Sequence, residues 1–290
     1  MCKRLLFVLL LLVLAIPGAA ADGTSWELTQ YPDASGNQGL FYSIYNQDDG
    51  TLILVDGGWE QNADTVRQVI DSHGGRVNSW FLTHYHGDHI GAFNALWETF
   101  RDQIGTVYVN PLDWETFESV ANYWDTPEDF ARFLELTSGA DNVVTLHRDD
   151  TLNIHGIGVT VYNAFDEHVR ELSTDWPNDS SLVFKLSFAE DTVLFMGDLA
   201  RGGVPLGQYL LDTYGAEALH AKYVQAGHHG NWSQPIAFYE AIHPEVLFSD
   251  GPEWLMTGAD YDASELQAWC HENGIETYDY RQAPSSFMLK

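Results

Sequence analysis

The sequence predicts an α/β fold, and three observations carry that expectation. Short apolar or alternating stretches recur along the chain at strand length. Amphipathic helical stretches fall between them, as at 62–72 and 263–272. Several strands run into Gly, Asp or His where the chain leaves the sheet, which gathers polar chemistry at strand ends. With 290 residues there is ample chain for one large core, and a single domain carrying an insert is the economical description.

Taken in order, the first element is an address. Lys3 and Arg4 precede an apolar run over 5–16, and Ala19-Ala20-Ala21 offers a small-residue cleavage site. The run falls short of the about 20 residues that a membrane span needs. Residues 1–21 are expected to be a removable export signal. The mature chain then starts near Asp22 and has no transmembrane anchor, its destination the periplasm, the cell envelope or the medium. Cys2 stands before the apolar run, so it is not placed like a lipoprotein cysteine. Only Cys270 remains in the mature chain; no internal disulfide can form, and a buried helical position suits it.

Residues 40–45 and 51–55 flank Gln47-Asp48-Asp49-Gly50 and read as a β-hairpin. Asp56-Gly57-Gly58 closes the second strand, and 62–72 follows as a helix. A strand is expected over 77–83 and a helix over 90–100. Residues 111–138 interrupt the rhythm with a helical, aromatic-rich insert holding Trp114, Phe117, Tyr123, Trp124, Phe130 and Phe133. It reads as a cap packed on the sheet or as a lid that offers aromatic faces to a substrate. Strands resume at 143–146, 151–154, 158–162, 181–188, 191–196 and 223–226. The tail suggests a strand at 246–249, a helix at 263–272 and a closing strand at 276–280.

Charge narrows the function. The chain carries −29, and loss of two cations, Lys3 and Arg4, takes it to −31. Long nucleic acids are gripped by Lys and Arg that neutralise phosphates, and no basic run occurs after Arg4. Acidity on this scale makes a soluble surface and argues against a partner of that kind.

The chemistry concentrates at 83–91, which reads Thr-His-Tyr-His-Gly-Asp-His-Ile-Gly. Three imidazoles and a carboxylate within six positions are the ligand types that zinc, iron or manganese take when no thiolate is offered. Without a cation such crowding is costly. His84, His86, Asp88 and His89 are therefore candidate metal ligands. Two later strands also end in polar groups, at Gly197-Asp198 and at Gly227-His228-His229-Gly230.

The H-x-H-x-D-H arrangement resembles the signature of the metallo-β-lactamase superfamily. That resemblance implies a four-layer αββα sandwich, two mixed sheets face to face with helices outside. It implies two divalent ions, zinc foremost with manganese or iron compatible, about 3.5–4 Å apart as in two-metal hydrolases. His84 and His86 would serve one ion, Asp88 and His89 the other, with Asp198 bridging. One of His228 and His229 would complete the second ion's shell and the other face the substrate's anionic oxygens; sequence does not decide which. Asp56 would hold a motif histidine from behind. Over residues 38–250 the order Asn178-Asp179-Ser180-Ser181-Leu182-Val183, Phe195-Met196-Gly197-Asp198 and Gly227-His228-His229-Gly230 is similar to the metallo-β-lactamase-like domain of DNA-uptake competence proteins. Phosphorylcholine esterases of the pneumococcal type are broadly similar in architecture. Where many members carry a histidine before the Gly-Asp strand, this chain offers Asn178, Asp179 and Ser181, as first-metal or substrate contacts, or else leaves a place for water.

The mechanism so implied is attack by a metal-bound hydroxide beside Asp88, with His228 or His229 stabilising charge that grows on the oxygens. No G-x-S-x-G elbow is present to suggest a serine nucleophile. A phosphodiesterase acting on a small or cell-surface phosphoester is the leading expectation. Phosphocholine esters attract notice because aromatic rings bind quaternary ammonium groups, and Trp97, Trp114, Trp124, Trp176 and Trp232 are available. A lactonase or β-lactamase acting on a carbonyl, and a non-catalytic metal-binding or recognition protein, are the alternatives. The sequence is silent on oligomeric state.

Overall fold

The strand Leu52–Asp56 is buried on both faces, and its alternation shows how the layers are built. Leu52 and Leu54 point into one core, Ile53 and Val55 into another, as the two-residue period of a strand requires. A strand apolar on both sides has to be covered on both sides. In this computed structural model, which describes residues 25–290, it is covered by helices on one face and a second sheet on the other. The expected export signal at 1–21 lies outside the described residues.

The first sheet collects β1 (Trp26–Gln30), β2 (Phe41–Asn46), β3 (Leu52–Asp56), β4 (Val77–Phe81), β5 (Ile104–Val109) and β6 (Val143–Thr145). The second collects β7 (Thr151–Ile154), β8 (Ile157–Asn163), β9 (Val183–Ser187), β10 (Thr192–Phe195), β11 (Tyr223–Gln225), β12 (Val246–Phe248) and β13 (Glu276–Tyr278). The last strand, β14 (Ser285–Leu289), returns to the first sheet. The orders are β14-β1-β2-β3-β4-β5-β6 and β13-β12-β11-β10-β9-β8-β7. Each sheet is mixed. From β14 to β3 the neighbours are antiparallel, and from β3 to β6 parallel. The second sheet repeats the plan, antiparallel from β7 to β10 and parallel from β10 to β13.

Aromatic rings fill the space between the sheets. Phe81 stacks on Phe184 at 4.6 Å, and Tyr42 meets Phe195 edge-on at 5.3 Å. Outside the first sheet, α1 (Ala63–Ser72) and α2 (Gly87–Phe100) bury Val66, Ile70, Ile90, Phe93 and Leu96. The insert follows as α3 (Trp114–Glu118), a 3-10 turn at Tyr123–Asp125, and α4 (Pro127–Thr137). Helices α5 (Glu167–Leu172), α6 (Trp176–Asp179), α7 (Val204–Tyr214), α8 (Ala216–Leu219), α9 (Ile236–Ile242), α10 (Glu253–Thr257) and α11 (Ala263–Glu272) complete the described chain. The four-layer αββα sandwich is thus the architecture. No helix among the described residues is long and apolar enough to cross a membrane.

Several boundaries differ from the sequence expectation. The motif strand stops at Phe81, two residues early, because the Thr83 N–H donates to the Asp56 carboxylate rather than to a neighbouring strand. Helix α2 starts at Gly87, not at 90, so Asp88 and His89 sit in its first turn, where the helix dipole favours a carboxylate. Strands β1, β5 and β14 were not anticipated. Cys270 is a free, fully buried thiol, and burial pushes its pKa up to about 12.

Candidate metal centre

Four strands deliver the site from their C-terminal ends, where open α/β sheets place their ligands. β3 ends in Asp56, β4 runs on to the 84–89 motif, the turn after β10 holds Asp198, and the turn after β11 holds His229. Left-handed backbone recurs at these turns. Asp56, Gly197, His228, His229 and Gly230 all have positive φ, and three of them are consecutive. Gly230 is obligatory at its place: φ is +82°, and a Cβ would lie 2.4 Å from Ser249 Oγ.

Two groups of donors result. His84, His86 and Asp198 form one; Asp88, His89 and His229 form the other. Asp198 reaches both. Its Oδ2 lies 3.8 Å from His84 Nε2 and 3.3 Å from His229 Nε2, while its Oδ1 lies 3.2 Å from His89 Nε2. His229 Nε2 is also 3.2 Å from Asp88 Oδ2. Behind the centre, Asp56 accepts hydrogen bonds from the Thr83 amide (2.7 Å), the Thr83 hydroxyl (2.6 Å) and His89 Nδ1 (2.7 Å). That fixes the His89 ring with Nε2 turned toward the donors.

The donor set fits a pair of cations. His84 Nε2, His86 Nε2, His89 Nε2 and Asp198 Oδ1 are buried without a hydrogen-bond partner, a condition that ordinarily costs free energy. Burial pushes the His84 pKa well below its ordinary value, helped by repulsion from His89 and His86. Burial also opposes charge on His89 and His229, yet Asp198, Asp56 and Asp88 outweigh it at His89, whose pKa stands well above the usual range. At His229 burial is likewise overridden, by Asp198 and Asp88, which raise it to about 10. Asp88 is held at about 2: burial resists, but His89 and His229 prevail. In the absence of metal the imidazoliums stand in for missing positive charge.

This has a measurable consequence. A cation taken up at His229 Nε2 must displace the proton carried there at pH 7, since metals bind neutral imidazole. Calorimetric zinc titrations in buffers of different ionisation enthalpy are expected to show at least about one proton released per chain. Affinity should weaken as pH falls. Uptake with no proton release would contradict this charge state.

Asn178, Asp179 and Ser181 separate into two roles. Asn178 lines the cavity over the centre, with Nδ2 held by Asp175 at 2.8 Å and Oδ1 unpartnered. Asp179 and Ser181 are fully buried behind the Asp198 loop rather than facing a substrate. Ser181 Oγ accepts from the Asp198 N–H at 2.9 Å, and Asp179 accepts from the Ala200 N–H at 2.9 Å and the Ser173 hydroxyl at 2.6 Å. His228 and His229 are likewise resolved. His229 joins the donor group, whereas His228 lines the cavity and gives its Nδ1 proton to the Asn231 carbonyl at 2.7 Å.

The cavity holds about 350 Å³ and is rimmed by Trp59, Trp124, Trp232, Trp254 and Tyr261. Of the five tryptophans named from sequence, Trp124 and Trp232 line it, while Trp97 is a buried core residue of α2. The insert supports both readings at different residues: Phe117, Phe130 and Phe133 are buried cap, and Trp124 is an exposed rim. Trp59, Trp254, Tyr261 and Asp125 escaped sequence reasoning. Trp59 follows Asp56-Gly57-Gly58, and Trp254 follows the end of β12, so strand-end position was a usable signal for both.

Comparison with known proteins agrees with this fold. The family described as the Metallo-beta-lactamase superfamily matches residues 35–227, and the chain belongs to that superfamily. Among solved structures the chain is similar to CmlA, a diiron beta-hydroxylase from Streptomyces venezuelae, at 16% identity and a TM-score of 0.57. That match covers 91% of this chain and 54% of the hydroxylase, so the chain spans about half of that protein's length. It is also similar to the metallo-beta-lactamase fold protein YhfI from Bacillus subtilis (12% identity, TM-score 0.54, 91% of this chain and 100% of that one). Igni18, a metallo hydrolase from the hyperthermophilic archaeon Ignicoccus hospitalis, matches at 11% identity with a TM-score of 0.51 over 92% of this chain and 99% of its own. At such identities the likeness speaks for the fold. No curated protein matches the chain by sequence.

Proposed function

We propose that the chain is an exported metal-dependent phosphodiesterase acting on a small or cell-surface phosphoester. The observation that carries the hydrolase reading is the pair of His/Asp groups joined by Asp198 on the floor of a cavity about 350 Å³ in volume. Two divalent ions bound there, zinc foremost with manganese or iron compatible, would supply Lewis acidity and would lower the pKa of water from 15.7 to about 7. His84 and His86 would hold one, and Asp88, His89 and His229 the other, with Asp198 within reach of both. Asp88 stays ionised beside the reacting centre, where a carboxylate can orient a water. The His228 ring, its Nδ1 proton committed to Asn231, leaves Nε2 free to accept a proton and then to pass it to a phosphate oxygen.

Substrate class rests on three supports. The second-half motifs resemble those of the competence-type domain. The charge of −29 repels long nucleic acid while leaving a small ester unhindered. The aromatic rim, with Trp254 edge-on to Tyr261 at 5.5 Å and Trp232 at 6.3 Å from Tyr261, offers ring faces to a quaternary ammonium. A phosphocholine ester joins the two preferences in one molecule. Export rests on residues 1–21 alone.

The test is turnover of p-nitrophenyl phosphorylcholine, bis-p-nitrophenyl phosphate, a chromogenic β-lactam and plasmid DNA by metal-loaded protein. Both phosphodiesters should be cleaved. Trp124→Ala and Trp232→Ala should raise KM for the choline ester about 2- to 30-fold, the worth of a cation–π contact, and leave bis-p-nitrophenyl phosphate nearly unchanged. Turnover of the β-lactam alone would make this a carbonyl hydrolase. One bound ion or none, with no turnover of any ester after added zinc or manganese, would make it a binding protein on a hydrolase scaffold. Rapid plasmid degradation would overturn the exclusion of nucleic acid.

A further inference from the structure

The half-site of His84 and His86 has two imidazoles and a shared carboxylate, and a fourth donor stands beside it in the insert. Asp125 ends the 3-10 turn Tyr123–Asp125 and is 2% exposed. Its Oδ2 accepts the Asn122 N–H at 2.6 Å, closing the turn. Its Oδ1 lies 3.4 Å from His86 Nε2, a buried nitrogen with no hydrogen-bond partner. The residue also lines the cavity with His86 and Asp198.

The 3.4 Å separation distinguishes two roles. A charge-assisted hydrogen bond between nitrogen and carboxylate runs about 2.7–2.9 Å, and His89 Nδ1 to Asp56 obeys it at 2.7 Å. Two donors each about 2.0–2.1 Å from one tetrahedral ion stand about 3.3–3.4 Å apart. Pairs assigned to a shared ion run from 3.2–3.3 Å (His89 and His229 to Asp198, His229 to Asp88) to 3.8–3.9 Å (His84 to Asp198, His89 to Asp88), all longer than a charge-assisted hydrogen bond. Asp125 and His86 belong with the second set. The insert is pinned where this requires it. The Gly87 N–H donates to Thr126 Oγ1 at 2.7 Å, Asn94 Nδ2 donates to the Asp129 carbonyl at 2.9 Å, and Tyr85 stacks on Phe130 at 3.8 Å.

We propose that Asp125 is a protein ligand of the first ion, the carboxylate that completes the His84–His86–Asp198 set. The assignment rests on the binuclear reading above. It makes the insert part of the metal centre rather than only its cover. Asn178, whose unpartnered Oδ1 also lines the cavity, is the rival donor, but a neutral amide oxygen neutralises no charge.

The experiment measures zinc per chain after dialysis against buffered metal, and the visible spectrum of the cobalt-substituted protein. Asp125→Asn keeps an oxygen for the Asn122 N–H, so the turn persists while the anion is lost. Wild type is expected to hold two ions. Asp125→Asn should weaken one of them by more than about tenfold, the least that loss of even an outer partner costs, and alter the cobalt ligand-field bands. Glu128→Gln, at an exposed acid of the same insert, should change neither. Two ions held by Asp125→Asn with wild-type affinity overturn the assignment alone. Weakened binding with an unchanged cobalt spectrum also overturns it, making Asp125 an orienting partner of His86. Loss of the first ion in Asn178→Ala but not in Asp125→Asn transfers the role to Asn178. Fewer than two ions in wild type overturns the binuclear reading and the assignment together.

Discussion

Replacing Asp198 by alanine is expected to empty both halves of the centre and to lower phosphodiester turnover at least about 10³-fold. The magnitude follows from position. Removal of a single transition-state hydrogen-bond donor costs about 10²–10³, whereas Asp198 stands within 3.8 Å of His84, His89 and His229 at once. Its loss removes the one carboxylate common to the two donor groups and leaves His89 and His229 with less negative charge to hold a cation. The backbone there should survive, because the Asp198 N–H, not its side chain, is what Ser181 binds. Elemental analysis and bis-p-nitrophenyl phosphate hydrolysis on the same preparation check both parts. Two ions retained in Asp198→Ala would remove it from the shared position.

Chelation should unfold the protein far more readily than any single surface substitution. A ligand at a hundredfold excess over its Kd stabilises the native state by about 2.7 kcal/mol per site, so two sites contribute about 5 kcal/mol. For a domain of this size each kcal/mol moves Tm by roughly 2–4 °C. Prolonged treatment with a strong chelator is therefore expected to lower Tm on the order of 10–20 °C, and added zinc to restore it. The physical source is the set of unpartnered buried atoms on His84, His86, His89 and Asp198, satisfied only when a cation is present. A Tm indifferent to chelator would mean that the imidazoliums suffice and the ions contribute little to folding.

Much of the centre was legible because its parts are local in sequence or mark strand ends. Four donors lie within 84–89, and Asp56, Asp198 and His229 each follow an apolar strand into a turn with positive φ. Other parts depend on distance through space. Whether His228 or His229 turns inward is decided by the left-handed turn and by the Asn231 carbonyl, neither visible as a pattern. Asp179 and Ser181 resembled contacts because of where they sit in the chain, yet folding puts them behind Gly197, holding the loop. Strands β1 and β14 were missed for a related reason. Each is short, and each owes its place to partners distant in sequence: β1 pairs with β2 on one side and with β14 on the other, where Trp26 meets Leu289 and Gln30 meets Ser285.

That pairing also bears on how the molecule is made. β1 emerges from the ribosome first among the described strands and waits for β14, the last of them, before its outer edge is filled. Until then its outer row of amides and carbonyls is open to any passing strand, an invitation to aggregation. The first sheet therefore reaches its full width only after the second has been synthesised, so a nascent chain must be kept from strangers for nearly the whole of its translation. A chain shortened before Ser285 should keep its metal-binding residues and yet be hard to keep in solution.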